Sequence, residues 1–348
     1  MKILKWLAAG MCLLVLTACG SEQSLQSEPE QDVTQAQPDG QEQSRPQADF
    51  AVTVDDTALS GGVAFGGKVL VPWQEIAELW SLERTDVLKV RLQDRDHVCL
   101  QDLCRELGYR YFADETTKQI LAVSKQTPWE IPQGYDVPVL MYHGVTDDLW
   151  GMTELFVKPA NMDEQIGYLV ENGYTPIWFE DLPYVDTIEK PVILTFDDGY
   201  MDNYTELFPI LQKYGVKATV FVVTGTVDNN PRILTGEQIR EMSDSGLVSI
   251  QSHTVTHPYL NSLTPEQQKW ELEQSQKDIF AMTGKLPTVI CYPSGQYNST
   301  TLELAGQYYQ MGLKMDGNRY RTGESVYEVD RYYIRRQDGL GTVVGCIQ

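Results

Sequence analysis

Apolar and polar positions in the second half of the chain follow two alternating patterns. Short runs of apolar and β-branched residues, which favour buried strands, are separated by longer segments with apolar residues at helical spacing. The pattern predicts strands at 137–144, 192–196, 218–223, 247–252 and 288–292, and helices at 163–172, 204–214, 236–245, 265–282 and 300–309. Strands that alternate with helices favour parallel βα units, and the number of units predicts a barrel.

The pattern is different between residues 50 and 125, where short strands are interrupted by glycine pairs. Two similar units, at 69–79 and 98–108, each predict a strand end that continues into a short helix. The runs at 109–112 and 118–123 predict a closing hairpin. We therefore predict a small α+β domain at 50–125, a linker at 126–136 and a larger α/β domain at 137–348.

The first 49 residues predict an exported protein. Lys2 and Lys5 precede an apolar run that is too short for an ordinary membrane span. The small residues just before Cys19 resemble a bacterial lipobox, which implies a signal peptide at 1–18 and an extracytoplasmic protein anchored to the cell membrane by lipid on Cys19. A plain signal peptide with an incidental Cys19 is the alternative. Residues 19–49, rich in Gln, Glu, Ser and Pro, predict a disordered tether.

Charge and cysteine content narrow the class of protein further. The chain has 27 Lys and Arg against 49 Asp and Glu, a formal net charge of −22. This charge argues against nucleic acid or anionic lipid as a partner. Export permits disulfides, and for Cys99, Cys104, Cys291 and Cys346 we expect either buried thiols or one local bridge.

Candidate chemistry begins where the strand at 192–196 ends on Asp197, Asp198 and Gly199. Neighbouring side chains of a regular strand point to opposite faces, but Gly199 lets the backbone leave that geometry, so both acids can turn into one pocket. Two close carboxylates repel, and metal binding by one leaves the other free as a base. A solvated turn is the alternative, because Asp-Asp-Gly is also an ordinary turn sequence.

The strand at 247–252 ends next to two of the chain's four histidines, His253 and His257. Imidazoles four residues apart can converge on one metal if the segment makes a single turn, and Pro258 favours a loop or short turn there. With Asp198 they form an Asp-His-His set that has an open position for water, which is the ligand count of a catalytic site. Two surface histidines are the alternative.

Three segments resemble the motifs of a known family. Residues 195–199 (Thr-Phe-Asp-Asp-Gly) and 252–257 (Ser-His-Thr-Val-Thr-His) resemble the first two motifs of the NodB-type polysaccharide deacetylases, carbohydrate esterase family 4. Residues 292–295 (Tyr-Pro-Ser-Gly) resemble the third. The resemblance implies an α/β fold for residues 137–348, a distorted (β/α) barrel with fewer than eight units.

The resemblance also implies a reaction. It places one divalent metal ion, zinc first with cobalt, nickel or iron as alternatives, on Asp198, His253 and His257. It makes Asp197 the general base and the backbone N–H of Ser294 an oxyanion donor. The expected reaction is removal of N-acetyl groups from N-acetylglucosamine units of a peptidoglycan or poly-N-acetylglucosamine type polysaccharide.

The sequence departs from the family pattern at two points. Many relatives take the general acid from a late histidine, but none follows His257. His143, which ends a predicted strand, is therefore expected as the acid, as in the subgroup that deacetylates poly-β-1,6-linked N-acetylglucosamine; a structural histidine is the alternative. Cys291 stands where many relatives have the arginine that steadies the base, and Arg336, or its neighbour Arg335, is predicted to supply that charge.

The sequence leaves three functions open. The first is metal-dependent N-deacetylation of a polysaccharide outside the membrane. The second is O-deacetylation of acetylated xylan-type glycans with the same metal and base, and the third is a wall-binding lipoprotein without catalysis.

The region at 50–125 loosely resembles the copper amine oxidase N-terminal-like domain, but His97 is its only histidine, so no copper site is expected.

Overall fold

The computed structural model describes residues 50–124 and 127–348. The predicted signal peptide at 1–18, the tether at 19–49 and the lipidation site Cys19 lie outside the described residues. Within the described ranges, no helix is both long and apolar enough to cross a membrane.

Residues 50–124 form two small sheets and two short helices. The elements are β1 (Ala51–Val54), β2 (Thr57–Ala58), β3 (Val63–Phe65), β4 (Lys68–Pro72), α1 (Trp73–Leu79), β5 (Lys89–Leu92), β6 (Arg95–Cys99), α2 (Leu100–Leu107), β7 (Arg110–Asp114) and β8 (Gln119–Val123). The sheet orders are β2-β1-β8-β7 and β3-β4-β6-β5. The two predicted strand–helix units are confirmed, because β4 continues into α1 and β6 into α2, and the predicted hairpin is β7–β8.

The remaining residues build a curled parallel sheet surrounded by helices. The strands are β9 (Asp136–Val137), β10 (Val139–Tyr142), β11 (Gly144–Val145), β12 (Phe156–Val157), β13 (Thr175–Pro176), β14 (Pro191–Phe196), β15 (Ala218–Val222), β16 (Val248–Ser252), β17 (Val289–Cys291), β18 (Met311–Leu313), β19 (Tyr320–Arg321) and β20 (Tyr332–Tyr333). The helices are α3 (Pro159–Glu171), α4 (Phe208–Tyr214), α5 (Gly236–Asp244), α6 (Pro265–Thr283), α7 (Ser299–Tyr308) and α8 (Leu340–Ile347).

The main sheet has eight strands. They run in the order β18-β17-β16-β15-β14-β10-β20, with β13 also pairing with β14, and every pairing is parallel. This is the predicted α/β fold, an incomplete (β/α) barrel. Because the strands are parallel, their carboxyl ends lie on one face, which is where barrel proteins build their sites.

Alternation along the strands separates two apolar cores. One set of side chains, including Leu140 and Leu194, points outward and packs with the helices. The other set, including Val139 and Ile193, points inward and packs with the 3-10 helix Phe179–Thr187. That helix lies at the amino ends of the strands, because the Trp178 indole beside it donates to the carbonyl of Ala218, the first residue of β15. The carboxyl ends are left for polar residues.

Several details differ from the predictions. The helix predicted at 204–214 begins as a π-helical segment, Asn203–Leu207, before α4. The strands β18 and β20 and the helix α8 were not predicted, since β18 and β20 are too short to show a period. Among the described cysteines, Cys99, Cys104, Cys291 and Cys346 all carry free thiols, so no local bridge forms, and Cys346 is only partly buried.

The small region packs directly on the barrel. The Phe112 ring of β7 lies 5.6 Å from the Phe280 ring of α6. The buried carboxylate of Asp114 accepts a hydrogen bond from Arg240 at 3.1 Å. By backbone contacts these residues belong to one compact unit. The predicted boundaries at 125 and 137 therefore stay predictions.

Candidate active site

The inward-facing positions of four strands converge at the carboxyl end of the sheet. Asp197 follows β14, His253 follows β16 and His143 follows β10, each two residues beyond an inward residue of its strand. Cys291 ends β17 on the same side. The apolar period-two pattern that fills the barrel thus continues into polar side chains where each strand ends.

Asp198 turns toward the same pocket through an unusual backbone conformation. Its φ is +74°, and Gly199 follows at φ +69°. The left-handed region is open to glycine and tolerated by aspartate. Because of these two residues the chain leaves the strand geometry, as the sequence predicted, and the carboxylate of Asp198 reaches the histidines.

The segment between the two histidines is held by Glu271 of α6. Its carboxylate accepts hydrogen bonds from the backbone N–H groups of Val255 and Thr256 and from the Thr256 hydroxyl. The N–H of His257 donates to the hydroxyl of Thr254. These bonds fix a single compact turn, which brings the His253 and His257 rings to a centroid separation of 4.7 Å.

The Asp198, His253 and His257 side chains come together as a set that fits one cation. Asp198 Oδ1 lies 3.5 Å from His253 Nε2 and 3.6 Å from His257 Nε2. Metal–ligand bonds of the usual zinc length at a tetrahedral angle separate neighbouring donors by about 3.4 Å. The three donor atoms all lie within 4.8 Å of one another. The spacing and the chemistry of these donors therefore suit a divalent metal ion.

The orientation and charge of the imidazoles support the same interpretation. His253 Nδ1 lies 2.9 Å from the carbonyl oxygen of Cys291, so Nδ1–H donates there and Nε2 keeps its lone pair for the pocket. Partial burial, with a smaller effect from His253, lowers the pKa of His257. A neutral imidazole is the form that binds a metal.

A second group of donors, Asp197, His253 and Cys291, is also compact. It suits a cation less well, because Asp197 is already paired with an arginine. Burial also raises the pKa of the Cys291 thiol well above its usual range, and a neutral thiol is a weak ligand. The chemistry of the side chains therefore favours the Asp198 set.

Asp197 is held by Arg331, which corrects the prediction for Arg336. Arg331 Nη1 donates to Asp197 Oδ1 at 2.8 Å and Nη2 donates to Oδ2 at 2.9 Å. Both side chains are buried. Burial opposes ionisation, but the charge and hydrogen bonds of Arg331 outweigh it and hold the pKa of Asp197 well below its usual range.

Arg336 binds other groups than the predicted base. Its guanidinium donates to the carbonyls of Thr146 and Phe156 and to the carboxylate of Asp147, so it braces the loop after β11. The charge that stands in for the missing arginine at position 291 comes from Arg331 and not from Arg336 or Arg335. Arg331 Nη2 also contacts Cys291 Sγ at 3.0 Å.

His143 lies beside this group. Its Nδ1 is buried and has no hydrogen-bond partner among the described residues. Burial lowers its pKa, and the charges of Asp197 and Asp198 oppose that effect. His143 thus lies at the edge of the pocket with one buried ring nitrogen, and a proton-carrying role is open to it.

Ser294 lies at the carboxyl end of β17, in the short turn Pro293–Gly295. Its φ of +54° is again left-handed, and the residue is exposed. A Cβ on Gly295 would lie only 2.8 Å from Met315 Cγ, so this turn is packed closely against the loop after β18. The Ser294 backbone thus belongs to the rim of the same face as the other predicted residues.

Comparison with known proteins identifies the family. The polysaccharide deacetylase family model matches residues 184–313. YxkH of Bacillus subtilis, a protein assigned to the polysaccharide deacetylases, is 36% identical over 204 residues, which cover 57% of this chain and 71% of YxkH. The poly-β-1,6-N-acetyl-D-glucosamine N-deacetylase of Escherichia coli O157:H7 is 30% identical over 168 residues, which cover 43% of this chain and 24% of that enzyme.

A solved structure agrees with these sequence matches. The polysaccharide deacetylase BC0361 of Bacillus cereus superposes with a TM-score of 0.59 at 32% identity, over 62% of this chain and 70% of that one. The chain therefore belongs to the polysaccharide deacetylase family, as its motifs predicted. Its fold is the curled parallel half-barrel of that family.

The sequence analysis did not predict two residues that lie at the pocket, Arg331 and Tyr333. A period-two interpretation of 329–334 would have found them, since Val329 and Ile334 are apolar and buried. Residues 331 and 333 would then share the face that Val329 presents to the inner core. An arginine on the inner face of a barrel strand signals a buried anionic partner.

Proposed function

We propose that this protein removes N-acetyl groups from N-acetylglucosamine units of a cell-wall or extracellular polysaccharide. The observation that carries the proposal is the different surroundings of two adjacent carboxylates. Asp198 lies with two imidazoles, whereas Asp197 lies beside it in a separate ion pair with Arg331. A cation-binding set next to an independently held base is what metal-assisted amide hydrolysis requires. The names of the relatives support a polysaccharide as substrate.

When bound by Asp198, His253 and His257, a divalent metal ion supplies Lewis-acid polarisation of the acetyl carbonyl and acidifies a water molecule. We propose zinc, with cobalt, nickel and iron as the other candidates, because all four accept nitrogen and oxygen donors. Chelation followed by addition of each metal, scored as acetate released from defined oligosaccharides, distinguishes them.

The remaining steps belong to the chain's own residues. Asp197 takes a proton from the attacking water; a carboxylate has about four acceptor sites, so the two bonds from Arg331 leave room for it. The water oxygen bonds to the acetyl carbon, and the Ser294 N–H donates to the carbonyl oxygen as it gains negative charge. His143 gives a proton to the nitrogen as the C–N bond breaks, which releases acetate and a free amine.

Asp197→Asn tests the proposal. The amide keeps the shape of the side chain but cannot accept the proton, so acetate release is expected to fall by at least about 100-fold. Binding of the polymer is expected to persist. Asp163→Asn is the control, because Asp163 pairs with Lys213 on the outside of the barrel. Continued turnover by Asp197→Asn would remove that residue from its role.

A second measurement separates the amide substrate from the ester alternative. Acetate release from oligomers of N-acetylglucosamine is compared with release from acetylated xylan under the same conditions. An alcohol leaves more easily than an amine, so an enzyme built for esters does not need His143. Preference for xylan, with no effect of His143→Ala, would favour the O-deacetylase.

We also propose that the protein acts outside the cell membrane and is held there by lipid on Cys19. The small residues before Cys19 and the polar composition of residues 20–49 support this proposal. Cys19→Ser is expected to release the protein from the membrane fraction into the medium. Retention of the variant in the membrane fraction would contradict a lipid anchor.

A further inference from the structure

The strand β20 and the residue just before it present two side chains to the inside of the barrel, Tyr333 and Arg331, and only Arg331 has been given a role. β20 runs parallel to β10, with Tyr333 opposite Met141. Arg331 and Tyr333 are two residues apart, so they share a face. Arg331 binds the carboxylate of Asp197, and the Tyr333 ring lies 5.7 Å from the ring of His143 at an interplanar angle of 61°.

Both neighbours, His143 and Tyr333, have an unsatisfied buried atom. Among the described residues, neither His143 Nδ1 nor Tyr333 Oη has a hydrogen-bond partner, although both atoms are buried. A buried polar atom without a partner destabilises the folded protein, so two such atoms on neighbouring rings are unusual in a site without a function for them.

Burial of one ring nitrogen of His143 determines which of its two nitrogens can reach a substrate. Because Nδ1 of His143 faces the protein, Nε2 is the nitrogen available to a substrate. An imidazole that delivers a proton from Nε2 must keep its other proton on Nδ1, and that N–H needs an acceptor. A phenol oxygen accepts such a bond without adding charge.

The surroundings hold Tyr333 in place for this task. The guanidinium of Arg335 lies 4.9 Å from the centre of the Tyr333 ring. Burial raises the pKa of Tyr333 to about 12, so the phenol stays neutral at physiological pH. Its oxygen therefore offers lone pairs to an N–H donor and does not compete with Asp197 as a base.

We propose that Tyr333 is a positioning residue for His143: its hydroxyl oxygen accepts the Nδ1–H bond and so keeps Nε2 as the proton donor to the leaving nitrogen. The two atoms are not hydrogen-bonded in this structure; such contacts commonly shorten when a substrate is bound. The segment 331–333 would then serve both proton-transfer groups, through Arg331 for the base and Tyr333 for the acid. The inference rests on the proposed N-deacetylase function, in which His143 is the acid.

Tyr333→Phe tests the inference, and Tyr332→Phe is a matched control. Tyr332 is the neighbouring residue of the same strand, but it packs outward against the helices. Each variant loses one hydroxyl and keeps its ring. In Tyr333→Phe, kcat for N-acetylglucosamine oligomers is expected to fall about 10- to 100-fold with KM unchanged. Tyr332→Phe is expected to match the parent protein.

The dependence on leaving group distinguishes positioning of the acid from a general loss of structure. An aryl acetate such as p-nitrophenyl acetate expels a stable phenolate and needs no proton from His143. Tyr333→Phe is therefore expected to hydrolyse it at the parent rate. An equal loss on amide and aryl ester would overturn the inference, and so would an unchanged amide rate.

A measurement that does not depend on turnover completes the test. The chain has four histidines, so nitrogen-15 spectra of their rings can be assigned with His143→Ala. In the parent protein His143 is expected to carry its proton on Nδ1, and in Tyr333→Phe that preference is expected to weaken. Identical His143 signals in both proteins would overturn the role of Tyr333. If Asp197→Asn loses activity and Tyr333→Phe does not, the proposed function stands and this inference falls.

Discussion

At the scale of single residues, some residues of the site are close to one another in the sequence and others are distant. Asp197 and Asp198 are adjacent, and His253 and His257 are separated by one turn, so their chemistry could be predicted from the sequence. Arg331 lies 134 residues from Asp197. Only the parallel pairing of β10 with β20 and with β14 brings them together, and nothing in the local pattern specifies which of several late arginines makes the pair.

Arg331→Lys measures what that pair contributes. Lysine keeps the positive charge but cannot form both bonds to Asp197 or reach Thr195, which Arg331 also contacts. We expect kcat for acetate release to fall about 10- to 100-fold. We also expect the free energy of unfolding to fall by about 1–3 kcal/mol, measured by denaturant titration.

The effect of Arg331→Lys on stability should depend on pH in one direction. The folded pKa of Asp197 lies below its unfolded value near 3.9, so the stability from the pair is present above that value and is lost as acid titrates the folded carboxylate. The difference from the parent protein should be largest at neutral pH. Arg336→Lys is the control, with kcat unchanged. Equal losses of kcat in the two variants would contradict the assignment of Arg331.

At the scale of elements, the long apolar strands and amphipathic helices could be predicted, and the short elements could not. The strands β14, β15 and β16 contain five or six residues, enough to show a continuous apolar run. β20 contains two residues, and the 3-10 helix Phe179–Thr187 has a proline inside it. Such segments are specified by the partners that they meet in the fold and not by a period of their own.

The turn after β14 can be tested with two glycines in similar conformations. Gly199 has φ +69°, and a Cβ there would lie 3.0 Å from Val222 Cγ1. Gly215 ends α4 with φ +64° and has nothing within 4 Å. Gly215→Ala is expected to cost about 1–2 kcal/mol of unfolding free energy from backbone strain alone, with normal acetate release.

Gly199→Ala is expected to cost at least as much as Gly215→Ala, because the new methyl group also crowds Val222. It should in addition lower kcat, since the turn sets the direction of Asp198. Denaturant titration and acetate release on both variants give the comparison. Normal kcat in Gly199→Ala would show that the turn tolerates the shift and that Asp198 does not depend on it.

At the scale of the whole molecule, the sequence predicts a small domain at 50–125 and a larger one at 137–348, and the structure shows which of their surfaces meet. Local patterns report where strands and helices begin, but they do not report which outer surfaces meet. From the sequence alone, Phe112 is expected to be an ordinary inward-facing residue of a hairpin. In the structure it is buried against Phe280 of the barrel helix α6, and the contact could not be predicted from either segment alone.

Phe112→Ala therefore probes whether the two regions unfold together. Phe112 is 1% exposed, whereas Phe65 in the same region is 54% exposed. Phe112→Ala is expected to lower the unfolding free energy by about 3–5 kcal/mol, and Phe65→Ala by less than about 0.5 kcal/mol. Because Phe112 and Asp114 join the small region to the barrel, the parent protein should melt in a single transition seen equally by fluorescence and circular dichroism. An earlier, separate transition in the parent protein would mean that the small region unfolds alone. The contacts of Phe112 and Asp114 with the barrel would then not couple the unfolding of the two regions.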